Sequence, residues 1–353
     1  MTTDMTTGLP WLAAPMQRFE TRLARGQLPQ AMLIHGPAGC GRRHLALALA
    51  ARFLELDWQP AADADAGELP GVPHPDFWSV GSDGEGRPEI KVDQIRELNH
   101  ALALTSHRQG RKAAVIYPAD AMNLSAANAF LKTLEEPPAG TLLILVGTAA
   151  GRLPATVVSR CERLRISPPA PELTLDWLAS HGADRASCER ALAFAAGAPL
   201  LARNLLAGTG GQATTGTAPT GTTATGTLAQ TLADLGSELQ QLIDRVATPI
   251  TLGRTWARRD HGVCLRWLYL QTAQLIREAA RPSGQGPGAS TPAQDRARPF
   301  PLNIPHSAVN MAACCVYLDQ VLEAERLKDR SVNMEAVFAE LLLWWYGAVG
   351  ATR

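Results

Sequence analysis

"AMLIHGPAGCGRRHLALALAARFL", Ala31 to Leu54, decides how the first half of this chain folds. A short apolar run, Ala31 to Ile34, enters a glycine-rich turn and leaves it on a long helical pattern. Strand, glycine turn and helix in that order are what a phosphate-binding P-loop requires. Gly36, Gly39 and Gly41 let the backbone bend so that amide N–H groups converge at a helix N-terminus, where an anion is favoured. A working site also needs a Lys on the β- and γ-phosphates and a Ser or Thr hydroxyl on Mg²⁺. Those positions read Arg42 and Arg43. Arg42 keeps the charge in a bulkier fork, whereas Arg43 offers no hydroxyl and a guanidinium does not ligate a metal. The turn predicts a degenerate loop with weak or no nucleotide binding.

Outward from this turn, "AMLIH", "AAVIY" and "TLLILVG" alternate with amphipathic segments up to about Ile166. That alternation predicts an α/β layer on a parallel sheet. In "RKAAVIYPADAMNLSAANAFLKTLEEPP" a strand, Ala113 to Tyr117, precedes a helix capped at Asn123. Leu124, Ala127, Leu131 and Leu134 are expected on one face, and the helix must stop at Glu136 because Pro137 and Pro138 cannot continue it. A hydrolysing enzyme would carry an acidic pair at the end of that strand. Here the strand runs into Tyr117-Pro118, and Asp120, three residues late, reads as a turn or cap carboxylate.

The remaining composition sets limits. The chain has 353 residues, zero formal charge, 46% hydrophobic and 19% charged residues. No global basic field favours a stand-alone DNA-binding module. The six cysteines form no CxxC pair, so reduced thiols and no zinc site are expected. The N-terminus lacks a signal-peptide pattern and no apolar run approaches a membrane span, so a cytoplasmic protein is expected. "SPPAPE" (Ser167 to Glu172) breaks the chain before a short helical piece ending near Leu206, and "GTGGQATTGTAPTGTTATGT" reads as a flexible linker. From Leu228 the pattern is helical: Leu265, Leu268, Thr272 and Leu275 share a face, and Val316, Val321 and Leu322 lie in another apolar-rich helix. Trp344 and Trp345, in the last helix, read as core or as subunit interface, and "RTWARR" (Arg254 to Arg259) as a solvated helix edge.

"NAFLKTLEEPP" followed by "LPATVVSRCERL" resembles the clamp-loader branch of the AAA+ ATPases, as does "HPDFWSV…IKVDQIRELNHALALTSHRQGRKAAVIYPADAMN" upstream. The resemblance is specific in the first two domains and reaches the last only in outline. It implies an AAA+ α/β domain over 1–167, a small helical lid over 168–206, the linker over 207–227 and an all-α oligomerisation collar over 228–353. Ser159-Arg160-Cys161 matches the SRC motif, whose Arg acts in trans on ATP held by the neighbouring subunit; the alternative is an ion pair with a local carboxylate such as Glu162. Thr148 falls near sensor 1, with strand-end hydrogen bonding as its other reading, and Leu200 stands where sensor 2 has an Arg. Lys, Ser/Thr, acidic pair and sensor-2 Arg are all missing or altered, which implies a subunit that does not hydrolyse ATP. An active ATPase with a variant Walker A motif is the alternative. The implied partners are the clamp-loader ATPase (gamma/tau) subunits, a delta subunit, the sliding clamp and primed DNA. No cofactor is expected in cis, with Mg-ATP in the neighbour. Relatives carry a four-cysteine zinc module where Leu54 to Phe77 has no cysteine.

Overall fold

The computed structural model describes residues 8–58, 72–81, 89–104, 106, 110–148, 151, 153–207, 228–279, 310–327 and 332–349. The chain divides into two compact units, Met1–Trp177 with Gly197–Leu201, and Leu178–Ala196 with Ala202–Arg353. Apart from Ala207, the expected linker lies outside the described residues, and so does most of the segment aligned with the zinc module.

The first unit is built on a five-stranded sheet: β1 (Ala31–His35), β2 (Phe77–Gly81), β3 (Lys112–Tyr117), β4 (Thr141–Gly147) and β5 (Glu162–Arg165). The order is β2-β3-β4-β1-β5 and every pairing is parallel. The three central strands are covered on both faces, which is why they read as unbroken apolar runs. Against one face pack α3 (Val92–Ala103) and α4 (Leu124–Glu135), with Ile95, Leu98, Phe130 and Leu134 closing over Leu33, Ile116, Leu143 and Leu145. Helix α2 (Arg42–Phe53) is buried almost all round, as expected of an Ala/Leu helix packed against β3, β4 and α1 (Ala13–Ala24).

Asn123 caps α4, its Oδ1 accepting from the Ala126 N–H at 2.8 Å, and the helix ends at Glu135 with Glu136 as C-cap. Its buried face differs from the expected one. Ala126, Ala127, Phe130 and Leu134 are buried, while Leu124 is 68% exposed. Phe130, the bulkiest apolar residue of α4, sets which side turns inward, and the adjacent alanines allow close approach.

The single turn α5 (Ala155–Val158) precedes β5, and α6 (Pro171–Ala179), α7 (Arg185–Phe194) and α8 (Pro199–Ala207) follow. The second unit also contains α9 (Leu228–Ile243), α10 (Pro249–Trp256), α11 (His261–Ala279), α12 (Met311–Leu327) and α13 (Met334–Val349). Leu265, Leu268, Thr272 and Leu275 are all buried, and the Thr272 hydroxyl is satisfied by donating to the Leu268 carbonyl at 2.8 Å. In α12 only Val321 of the expected trio is buried; Val316 and Leu322 face outward. Trp345 is core, whereas Trp344 is 47% exposed. "RTWARR" is a solvated edge only in part: Arg254, Thr255 and Arg258 are exposed, but Trp256 is fully buried and donates to Glu238 at 2.8 Å, and Arg259 forks the same carboxylate at 2.7 and 2.8 Å. Trp256 also meets Trp267 and Phe338 edge-to-face at 6.1 and 6.0 Å. Among the described residues, no helix is long and apolar enough to cross a membrane.

Candidate functional site

The glycine turn sits at the C-terminal end of β1, with Gly36, Gly39 and Gly41 at φ 149°, 76° and 83°. Each glycine is required by the chain's own packing. A Cβ on Gly36 would lie 2.0 Å from the Ile166 carbonyl oxygen, and one on Gly39 would lie 3.0 Å from the Leu201 Cβ. Gly41 begins α2 in the left-handed conformation, against Leu9 and Leu12.

Side chains and backbone of the same unit occupy the turn. Trp11 donates its indole N–H to the Cys40 carbonyl at 3.0 Å, and the Leu200 N–H donates to the Gly39 carbonyl at 2.9 Å. The sensor-2 position is thus held on the loop by backbone, with no guanidinium to offer a phosphate. Arg42, 5% exposed, donates through Nη1 to the Gly147 carbonyl at the end of β4. Arg43, 2% exposed, lies over the Tyr117 ring at 5.4 Å from its centroid. A buried guanidinium must be compensated, and here a carbonyl and an aromatic face contribute. Both cations are built into the domain.

Thr148, the sensor-1 candidate, donates its hydroxyl to Asp120 Oδ2, and its N–H meets the same oxygen at 3.3 Å. Asp120 therefore ties the loop after β3 to the end of β4, the structural reading of that carboxylate. Nearby, burial first and then Arg165, Arg163 and Arg42 push the His35 imidazole below its ordinary value, favouring its neutral form.

The SRC segment lies at the opposite end of the sheet. Ser159 ends α5 and donates to the Thr156 carbonyl at 3.2 Å. Arg160 donates to the same carbonyl at 2.8 Å and pairs with Glu135 Oε1 at 2.5 Å. The expected alternative partner, Glu162, is not the one used. Strand alternation turns Glu162 to the other face, where Arg22 of α1 forks it, at 2.9 Å through Nη2. That hydrogen bond holds the Glu162 carboxyl below the usual carboxylate range. Cys161 is buried in the α3/α4 core, and burial pushes its thiol up to about 12, so it packs rather than reacts.

Because β1 and β5 are parallel neighbours, Arg160 precedes β5 at one end of the strands while the glycine turn follows β1 at the other. Four residues of strand separate those ends by roughly 13 Å. Arg160 is partly exposed and set away from its own chain's turn. Sequence reasoning did not find Trp11, Arg22 or Glu135; only Glu135 carried a signal, as part of "LEEPP".

A five-stranded parallel sheet in this order, with a glycine-rich turn between β1 and α2, defines an α/β fold of the P-loop type. Residues 12–170 match the family described as "DNA polymerase III, delta subunit". The chain is homologous to proteins named DNA polymerase III subunit delta'. It is 39% identical over 204 residues to the one from Pseudomonas aeruginosa, covering 56% of this chain and 60% of that protein. To the one from Escherichia coli K12 it is 32% identical over 211 residues, covering 58% and 62%. The matched region thus spans about 60% of the length of these relatives. Among solved structures, a gamma subunit-related protein of DNA polymerase III from Thermotoga maritima aligns over 94% of this chain and 99% of its own, at 18% identity and a TM-score of 0.47.

Proposed function

We propose that this chain serves DNA replication as a non-hydrolysing, delta-prime-type member of a DNA polymerase III clamp loader. The observation that carries the reading is the occupied turn: Arg42 is committed to Gly147, and Leu200 and Trp11 to the loop carbonyls. Catalysis in cis is thereby disfavoured, and Arg160 is the residue left to act. Its pair with Glu135 is partly exposed, with side chains 35% and 49% accessible, and pairs of that kind are worth about 0–1 kcal/mol. A triphosphate on an adjoining subunit would compete for the guanidinium and gain stabilisation of charge spreading onto its equatorial oxygens. Mg-ATP is then bound by the neighbour, a gamma/tau-type ATPase subunit; this chain binds no nucleotide and no zinc. With a delta-type subunit, the assembly would open the sliding clamp and place it on primed DNA in the cytoplasm.

The test is co-purification with the clamp-loader ATPase subunit and a DNA-stimulated ATPase assay. Arg160→Ala should leave assembly intact and slow the site it serves by an order of magnitude or more, arginine fingers being worth about 10³–10⁵. Unchanged ATP turnover and clamp loading would overturn the assignment.

A further inference from the structure

A cleft of about 480 Å³ opens between α1 and the edge strand β5, and neither Arg160 nor Glu135 lines it. Its apolar lining includes Phe19, Met32 and Leu164, and its charged groups are Arg18, Arg22, Glu162 and Arg163. Glu162 is neutralised by Arg22. Arg18 is therefore the uncompensated cation on the α1 side, while Arg163 borders the cleft at the strand edge with its side chain on the opposite face of the sheet.

Among the described residues, β5 pairs with β1 alone. The Ile166 N–H donates to the His35 carbonyl at 2.8 Å. The two-residue alternation of a strand then directs the main chain of Glu162 and Leu164 to β1 as well. The N–H and C=O groups of Arg163 and Arg165 point away from β1, along the open edge of the sheet. Such an edge is a template for another strand unless it is blocked. Here it contains no proline, and both outward-directed residues are exposed cations.

The same alternation fixes what an added strand must look like. Side chains on its α1 side would enter the cleft against Phe19 and Leu164 and should be apolar. Those on the other side would lie beside Arg163 and Arg165 and should be acidic. We infer that the β5 edge and the α1 cleft together bind an extended segment of a partner protein with alternating acidic and apolar residues, by strand addition. The site is separate from the proposed arginine finger and does not depend on it.

The probe is a fluorescein-labelled eight-residue peptide alternating Glu and Val, titrated with the full chain by fluorescence anisotropy. A Lys–Val peptide and a single-stranded oligonucleotide run alongside. Saturable, salt-sensitive binding of the Glu–Val peptide alone is expected. Arg163→Glu with Arg165→Glu should weaken it by more than about tenfold, since like charge is set against like. Arg163→Pro removes an outward N–H without touching the pairing to β1, and should weaken binding more than Arg163→Gln, which removes the charge alone. Circular dichroism checks that the variants fold; should the proline variant fail, Arg163→Gln with Arg165→Gln must still weaken binding. Indifference to all of these changes, equal affinity for the Lys–Val peptide, or binding of the oligonucleotide in place of the peptide would overturn the proposal.

Discussion

Replacing Gly36 by alanine should damage the fold whether or not the turn ever meets a phosphate. The new Cβ would stand 2.0 Å from the Ile166 carbonyl oxygen and 3.0 Å from its carbon, both backbone atoms. Neither side is free to retreat, because the Gly36 N–H is bonded to Thr148 O at 3.2 Å and the Ile166 N–H to His35 O at 2.8 Å. Gly36 also sits at φ 149°, where an L residue is strained. Overpacking costs about 1–3 kcal/mol, an unfavourable backbone region about 1–3, and a lost backbone hydrogen bond about 0.5–1.5. Together these amount to roughly 2.5–7.5 kcal/mol, a large part of the ~5–15 kcal/mol that holds a domain. Hydrogen exchange followed by mass spectrometry reads the effect locally. Peptides covering β1 and β5 should exchange at least about a hundredfold faster, at ~1.4 kcal/mol per factor of ten. Gly26 is the control: its φ of 65° is also positive, but no atom lies within 4 Å of a Cβ there. Gly26→Ala should cost about 1 kcal/mol. If Gly36→Ala behaves like Gly26→Ala, the argument from close approach is refuted.

Other outcomes follow from the same structure. Cys315 is the exposed one of the six cysteines, so a thiol reagent at pH 8 should titrate one fast group per native chain, with the remainder reacting only on unfolding. Arg22→Ala should destabilise by up to about 1 kcal/mol, the pair being partly exposed. The folded-state pKa of Glu162 is depressed, so this stabilisation is complete above its ordinary value of 4.5 and is lost as pH falls through the folded-state value. Denaturation midpoints of wild type and variant should therefore converge on acidification. Trp256→Phe keeps most of the buried ring but removes the donor to Glu238, so urea unfolding should show a loss of about 1–3 kcal/mol, as for a hydrogen bond to a charged group.

What was legible in the sequence was what local patterning controls. The apolar runs of β1, β3 and β4 are buried on both faces, and the Asn123 cap acts through its own first helical turn. The edge strands were not legible: β2 is half-buried, and "ERLR" of β5 carries three charged residues on four positions. An edge strand hydrogen-bonds on one side and needs no continuous apolar stripe. At the candidate site, the types of residue missing from the turn could be read, but not what fills it. The Arg42 to Gly147 bond joins residues 105 positions apart, and Trp11 reaches Cys40 across 29. The partner of Arg160 was misread for a related reason. Glu162 is two positions away, but strand alternation faces it to α1, while Glu135, 25 positions back, arrives on α4.

The most direct test of the turn as scaffold is a calorimetric titration of the isolated chain with ATP, with and without Mg²⁺. It should be run on wild type and on Arg42→Lys with Arg43→Thr, and paired with a turnover assay. Wild type should show no saturable Mg-dependent binding and no hydrolysis. The double variant should not gain turnover, since Tyr117-Pro118 still stands where the acidic pair is needed and Leu200 still closes on Gly39. Tight Mg-ATP binding with steady turnover by the wild-type chain would contradict it.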